Sequence, residues 1–274
     1  MIAETMEKAL LSEVRDGILI LTINRPAARN AISPEVACRL ADAFTEFSEN
    51  PELRVCILTG VGDKAFCSGG DLALTLPLMT GAREPEDEWD RRLVSEPDVM
   101  SRSALRDFDL NKPIIAAING TCLAGGMETV LATDIRIAAD HAKFGLPEAK
   151  RALIPFAGSL VRLPRQMPHC LAMEMLLVGD TIDAETALRA GLVNHVVPVG
   201  EVMNKALEIA GKIAANGPVA VQEIKKTVLA SSGRTLREGY QLEDQAKSRV
   251  MASADAREGP RAFMEKRQPI FVGR

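Results

Sequence analysis

Two glutamates stand out because the residues around each would hold its carboxyl at a fixed angle. Glu128 lies in "NGTCLAGGMETVLATD" (119–134), just after Gly125-Gly126, at the start of a run holding Met127, Val130, Leu131 and Ala132. Glu148 directly follows Pro147 in "AKFGLPEAKRALIP" (142–155), where Gly145 and Pro147 predict a rigid turn. A carboxyl fixed in this way can act as a general acid or base. As a pair, one carboxyl could hold water while the other moves a proton. Plainer roles also fit. With Gly125 as N-cap, Glu128 is N3 and satisfies the helix start; Glu148 sits in a first turn with Pro147 at N1.

Glycines supply the second kind of chemistry. "KAFCSGGDL" (64–72) follows an apolar run by a short loop, and Ser68-Gly69-Gly70-Asp71 lets backbone approach a ligand closely. A helix opening at Gly69 or Gly70 would present free N–H groups. Gly120 and Gly125-Gly126 repeat the plan, so two such elements could aim two donors at one oxygen, as an oxyanion hole does. The alternative is an ordinary turn, with Asp71 as a helix-start charge. At the C-terminus, "RAFMEKRQPIFVGR" places Phe263 and Lys266 three apart on one predicted helix face, where Lys266 and Arg267 read locally as solvated surface.

The elements that must position these residues alternate in type. "GILILTINRP" (17–26), "RVCILTG" (54–60), "KPIIAAING" (112–120) and, more weakly, "DIRIAAD" (134–140) read as strands. "SPEVACRLADAFTEFSEN" (33–50) opens with Ser33-Pro34, a good N-cap and N1 pair, and keeps a helical period through Val36, Leu40, Ala43, Phe44 and Phe47. Alternation predicts an α/β fold with crossover connections. Residues 72–110 are polar and proline-containing, read as a loop followed by helix beside the ligand. Beyond about residue 200 only helical patterns remain, so the chain divides into a core (1–200) and a helical C-terminal region (201–274).

Composition removes several function classes. Apolar residues are 47% and charged residues 26%, enough for a real core in one large domain. Aromatics are only 4% and the net charge is -4, which argues against nucleic acid as the ligand. The five cysteines form no CxxC pair and the three histidines no HExxH, so neither a disulfide framework nor a metal site is expected. No apolar run approaches the ~20 residues of a membrane span. "MIAETMEKAL" lacks a signal peptide's basic start, so a cytoplasmic location is expected. GxGxxG, GxxxxGK[ST] and GxSxG are all absent.

Taken together, "LTINRPAARNAI", "VCILTGVGDKAFCSGGDL", "KPIIAAINGTCLAGGMETVLATDIRIAAD", "AKFGLPEAKRALIP", "ALRAGLVNHVV" and "FMEKRQPIFVGR" resemble the crotonase superfamily, the enoyl-CoA hydratase/isomerase family. The likeness runs from about Gly17 to Arg274. It implies a spiral of ββα units with a C-terminal helical region that packs trimers, often paired as hexamers. It implies an acyl-CoA thioester substrate, a place in lipid or fatty-acid metabolism, and no cofactor beyond the substrate's own coenzyme A. By motif the thioester oxygen would meet the N–H groups of Ser68 and Gly125. Glu128 would activate water for C3 and Glu148 would give a proton to C2, as in an enoyl-CoA hydratase. Substrate and its coenzyme A would be bound, partly through backbone groups, by Ala27, Ala28, Arg29, Ala65 and Phe66 and by Gly69, Gly70, Asp71, Leu72 and Gly126. Phe263 and Lys266 would reach coenzyme A from a neighbouring subunit. Isomerase, acyl-CoA hydrolase or carnitinyl-CoA-type dehydratase chemistry, and non-catalytic binding of coenzyme A or RNA, are the alternatives. Departures from the family pattern fall on "IPFAGSLVRLPR", where Phe156, Ser159 and Leu160 stand in a segment usually rich in glycine; Phe156 would reshape the acyl pocket.

Overall fold

A computed structural model describes residues 8–274. Ten strands among them form two sheets. In chain order they are β1 (Leu10–Arg15), β2 (Ile18–Ile23), β3 (Val55–Gly60), β4 (Ala65–Cys67), β5 (Ile114–Ile118), β6 (Thr121–Leu123), β7 (Ile135–Ala139), β8 (Lys143–Gly145), β9 (Ile182–Asp183) and β10 (His195–Val197). The larger sheet runs β1-β2-β3-β5-β7-β10 and is parallel except for the β1–β2 hairpin. The smaller runs β4-β6-β8-β9.

The chain alternates between these sheets. β3 then β4, β5 then β6, and β7 then β8 each step from the large sheet to the small one, and helix follows. This is the expected spiral of ββα units. The central strands β2, β3 and β5 are near-continuous apolar runs because both their faces are covered; β3 and β5 are buried at every position, whereas the edge strand β1 is largely exposed. The helix Pro34–Glu49 is capped by Ser33, whose hydroxyl accepts from Val36 N–H, with Pro34 at N1. It buries Val36, Leu40, Phe44 and Phe47.

Three features differ from the sequence expectation. No helix opens at Gly69 or Gly70: a turn follows, and the next helix is Thr75–Met79. The segment 72–110 is broken into short helices, Thr75–Met79, Glu88–Ser95 and Asp98–Ser103. The helix Val202–Ala214 does not belong to a separate C-terminal layer. It lies on the large sheet against β3, β5 and β7, burying Val202, Ala206 and Ala210. The helical region expected from residue 201 thus begins with a helix that packs on the core sheet. Pro218–Ser231, Leu236–Ala252 and Asp255–Met264 then pack on one another. No helix among the described residues is long and apolar enough to cross a membrane.

Candidate active site

The ends of β4 and β6 lie side by side, and the turns that leave them meet. Two buried asparagines fix this junction. Asn30 donates to the carbonyls of Val61 and Ala65, and Asn119 donates to those of Gly60 and Gly62 while accepting from Gly60 N–H. A side-chain amide that satisfies several buried carbonyls at once fixes loop geometry where no ladder can. Neither residue was singled out from the sequence. The usable signal was an Asn beside each strand-ending glycine or turn.

Past this junction the turn after β4 packs against the one after β6. Gly69 has φ +102°, and a Cβ built on it would lie 2.5 Å from the Ala124 Cβ and 3.3 Å from the Gly125 nitrogen. A Cβ on Gly125 would lie 3.4 Å from the Gly70 nitrogen. The Gly70 and Gly125 amides are thus close neighbours. Gly125 is the first residue of the helix Gly125–Val130, where an N–H has no intrahelical partner. Gly70 N–H has no hydrogen-bond partner among the described residues, because the adjacent ladder uses Gly69 C=O and Asp71 N–H to bond Ile32.

This corrects the expected donor pair. Ser68 N–H already donates to Arg29 C=O at 3.1 Å, and the Ser68 hydroxyl faces Ala28 C=O. The free amides are those of Gly70 and Gly125. The pairing that engages Ser68 comes from a turn almost forty residues earlier, so local spacing could not reveal it.

A cavity of about 190 Å³ opens at these amides, lined by Ser68, Gly70, Gly125, Glu128 and Glu148 together with Leu72 and Phe156. Both glutamates named from the sequence therefore share one site. Glu128 is N4 of its helix, not N3, since the N-cap is Ala124 with φ +49°. Its side chain is buried and does not cap its own helix: Oε1 accepts from Ala157 N–H at 2.6 Å and Ser159 N–H at 3.4 Å. Burial raises the Glu128 pKa, and these amides oppose the rise. Glu148 sits in the 3₁₀ turn Pro147–Arg151, and its Oε2 is buried without a partner. Burial, reinforced by the nearby Glu128 charge, pushes its pKa to about 7.

The other site residues separate into groups. Asp71 is held by Arg25 at 2.8 Å and caps Ala73 and Leu74 N–H, a structural role. The Phe66 side chain is 1% exposed and Ala65 is buried as well, so any contact with a ligand here falls to the backbone. Gly126 is buried because a Cβ there would meet Cys67 at 2.6 Å; it is a packing glycine. Ala27, Ala28 and Arg29 form the turn behind Ser68 and do not line the cavity. Phe263 is 82% exposed, and Lys266 lies beyond its helix end with φ +55°, so the two do not share a helix face; neither lines this cavity. No cluster of three or more His, Cys, Asp or Glu among the described residues could hold a metal.

The chain is similar to known proteins in sequence and in fold. The family model described as enoyl-CoA hydratase/isomerase matches residues 13–274. The chain is 42% identical over 264 residues to the enoyl-CoA hydratase EchA19 of Mycobacterium tuberculosis, covering 96% of each. It is 38% identical over 273 residues to a carnitinyl-CoA dehydratase of Proteus mirabilis, covering 98% of this chain and 100% of the other. The crystal structure of an enoyl-CoA hydratase from Bacillus anthracis superposes with TM-score 0.87 at 38% identity, covering 97% and 100%. The chain belongs to the enoyl-CoA hydratase/isomerase family and has the crotonase fold.

Proposed function

We propose that this protein is an enoyl-CoA hydratase acting on an apolar acyl chain. The observation that carries the reading is the sharing of one cavity by two free amides and two carboxyls of unequal environment. The thioester oxygen sits between Gly70 and Gly125 N–H. Glu128, whose charge is stabilised by two amides, takes a proton from water as the water oxygen bonds to C3. The C2–C3 π electrons move into the thioester, and the fixed dipoles hold the resulting enolate. Glu148, protonated in its partly desolvated position, gives its proton to C2. One proton enters at Glu128 and one leaves at Glu148, and exchange between them resets the pair. Coenzyme A is part of the substrate, and no other cofactor takes part. Phe263 and Lys266, which do not line this chain's own cavity, meet coenzyme A bound by a neighbouring copy.

The lining favours apolar acyl groups. Its hydroxyls are occupied by backbone carbonyls: Thr75 bonds Ile32 at 2.8 Å, Ser103 bonds Met100 at 2.9 Å and Thr129 bonds Gly125 at 3.0 Å. Beyond the catalytic carboxyls the larger side chains are mostly apolar, among them Leu72, Leu76, Met79, Met100, Leu123 and Ile154, and the one cation in the lining is Arg151. A carnitinyl group carries a quaternary ammonium, which is held by aromatic faces or carboxylates; Phe156 is the one aromatic side chain in this lining, both its carboxyls are assigned to C2 and C3, and Arg151 would repel a cation. The dehydratase relatives keep a second reading open, the same bond chemistry on a cationic acyl group. A panel of enoyl-CoAs, followed by loss of absorbance at the enoyl-thioester band, tests both. Apolar 2-enoyl-CoAs are expected to be hydrated faster than the trimethylammonium analogue. A reversed order would move the assignment to the dehydratase, and no turnover with any member would remove it.

The pH profile follows from the pair. The active form holds one proton, on Glu148 for hydration and on Glu128 for dehydration. Its alkaline limb in kcat/KM is expected at an apparent pKa of about 7, where Glu148 loses that proton. Activity is lost as pH rises through this limb and is retained below it, down to an acid limb where Glu128 takes up a proton. An alkaline limb that stays in place in the residual rate of Glu148→Gln would assign it elsewhere.

A further inference from the structure

Ser159 is fully buried, and its hydroxyl has no hydrogen-bond partner among the described residues. A hydroxyl buried in this state costs free energy unless something uses it. It is the first residue of the helix Ser159–Gln166, after Gly158 at φ +118°, and its own N–H reaches Glu128 Oε1 at 3.4 Å. Its side chain lies beside that carboxyl. Across the same turn Arg162 donates to Ala104 C=O at 3.3 Å and to Ala157 C=O at 3.5 Å. A Cβ on Gly158 would stand 2.8 Å from the Arg162 guanidinium. The turn that presents Ser159 is therefore clamped between the helix and the cavity wall.

Building on the hydratase reading, we propose that Ser159 is a positioning residue for the water-activating carboxyl. Its hydroxyl turns to donate to Glu128 when Glu128 is ionised, and so keeps the shared proton on Glu148. The charged groups around Glu128 are Glu148 across the cavity and Arg162 from the helix 159–166. Arg106 and Asp107 are the charges near Arg162, and Arg151, which also lines the cavity, is the cation near Glu148. Glu148 has no equivalent hydroxyl, only an unpartnered Oε2. Once turned to donate, the hydroxyl favours the ionised form of Glu128, in the same sense as the two amides.

The test compares wild type, Ser159→Ala and Ser159→Gly in pH profiles of kcat/KM, with melting temperature alongside. Both variants remove the hydroxyl and keep the backbone donor. The acid limb is expected to move up by about one pH unit while the alkaline limb stays, so activity well below the limb falls about tenfold and the plateau is kept. A uniform loss at every pH, or profiles that superimpose on wild type, would overturn the proposal. Infrared titration of carboxyl bands, with Glu128→Gln subtracted to isolate Glu128, reads the same shift without turnover. If wild type hydrates nothing while that band still moves in Ser159→Ala, the hydratase reading fails and the Ser159–Glu128 coupling stands. If wild type is active and the band does not move, the coupling alone fails.

Discussion

Replacing Glu148 by glutamine is expected to lower hydration of a 2-enoyl-CoA roughly a hundred- to ten-thousand-fold, with thioester binding close to wild type. The amide is nearly isosteric, so the half-buried site keeps its shape. What disappears is a proton that can be given up: glutamine has no acid of pKa about 7 to offer C2. Glu128→Gln is expected to cost as much by a different route. Oε1 of Glu128 accepts two backbone N–H groups, and glutamine can still present its carbonyl there, so the loop 157–159 stays in place. The amide cannot take a proton from water. The two losses should not multiply in the double variant, because a single concerted step uses both groups. Stopped-flow or steady-state rates with a separate binding titration check this. Unchanged turnover in Glu128→Gln would point instead to an isomerase or hydrolase working through Glu148 alone.

The second large effect is expected at a residue that touches no substrate. In Gly69→Ala, the new Cβ would stand 2.5 Å from the Ala124 Cβ, a rigid atom that cannot swing away, at a φ of +102° that L-residues rarely adopt. Something must shift, and what lies on either side is the Gly70 amide and the Gly125 amide. A single donor of this kind contributes about 3 kcal/mol to the transition state. Displacing one should lower kcat on the order of a hundred-fold or more, beyond a stability cost of about 1–3 kcal/mol for overpacking. Turnover measured well below the melting transition separates the two. A variant that melts lower yet keeps its kcat would show that the amide pair is not the oxyanion site.

Much of this was legible in the sequence, and the gaps have physical reasons. β2, β3, β5 and β7 were readable because strands covered on both faces leave runs of apolar residues. β4, β6, β8 and β9 have two or three residues each, too few for any period to register. The helix 34–49 was set by its cap and its stripe; 202–214 was visible as a helix, but a local stripe does not say which surface it covers, and its docking on the large sheet is a long-range contact. Both carboxyls of the site were found because Gly-Gly and Pro mark the turns that carry them. The second amide was placed two residues early, on Ser68, because the pairing that occupies that amide is made by Arg29. Ala157, Ser159 and Arg162 were missed as supports for Glu128 because they meet it only through tertiary packing.

In the proposed mechanism the oxygen-holding dipoles belong to the main chain at Gly70 and Gly125, while the acyl wall is made of side chains such as Leu72, Met79, Met100, Ile154 and Phe156. Mutation can exchange the second set residue by residue and leave the first where the fold puts it. A gene of this kind can drift or be bred toward a new acyl group in single steps, each intermediate still competent in the chemistry. Inheritance of the reaction is then tied to backbone shape, and diversification is left to the lining.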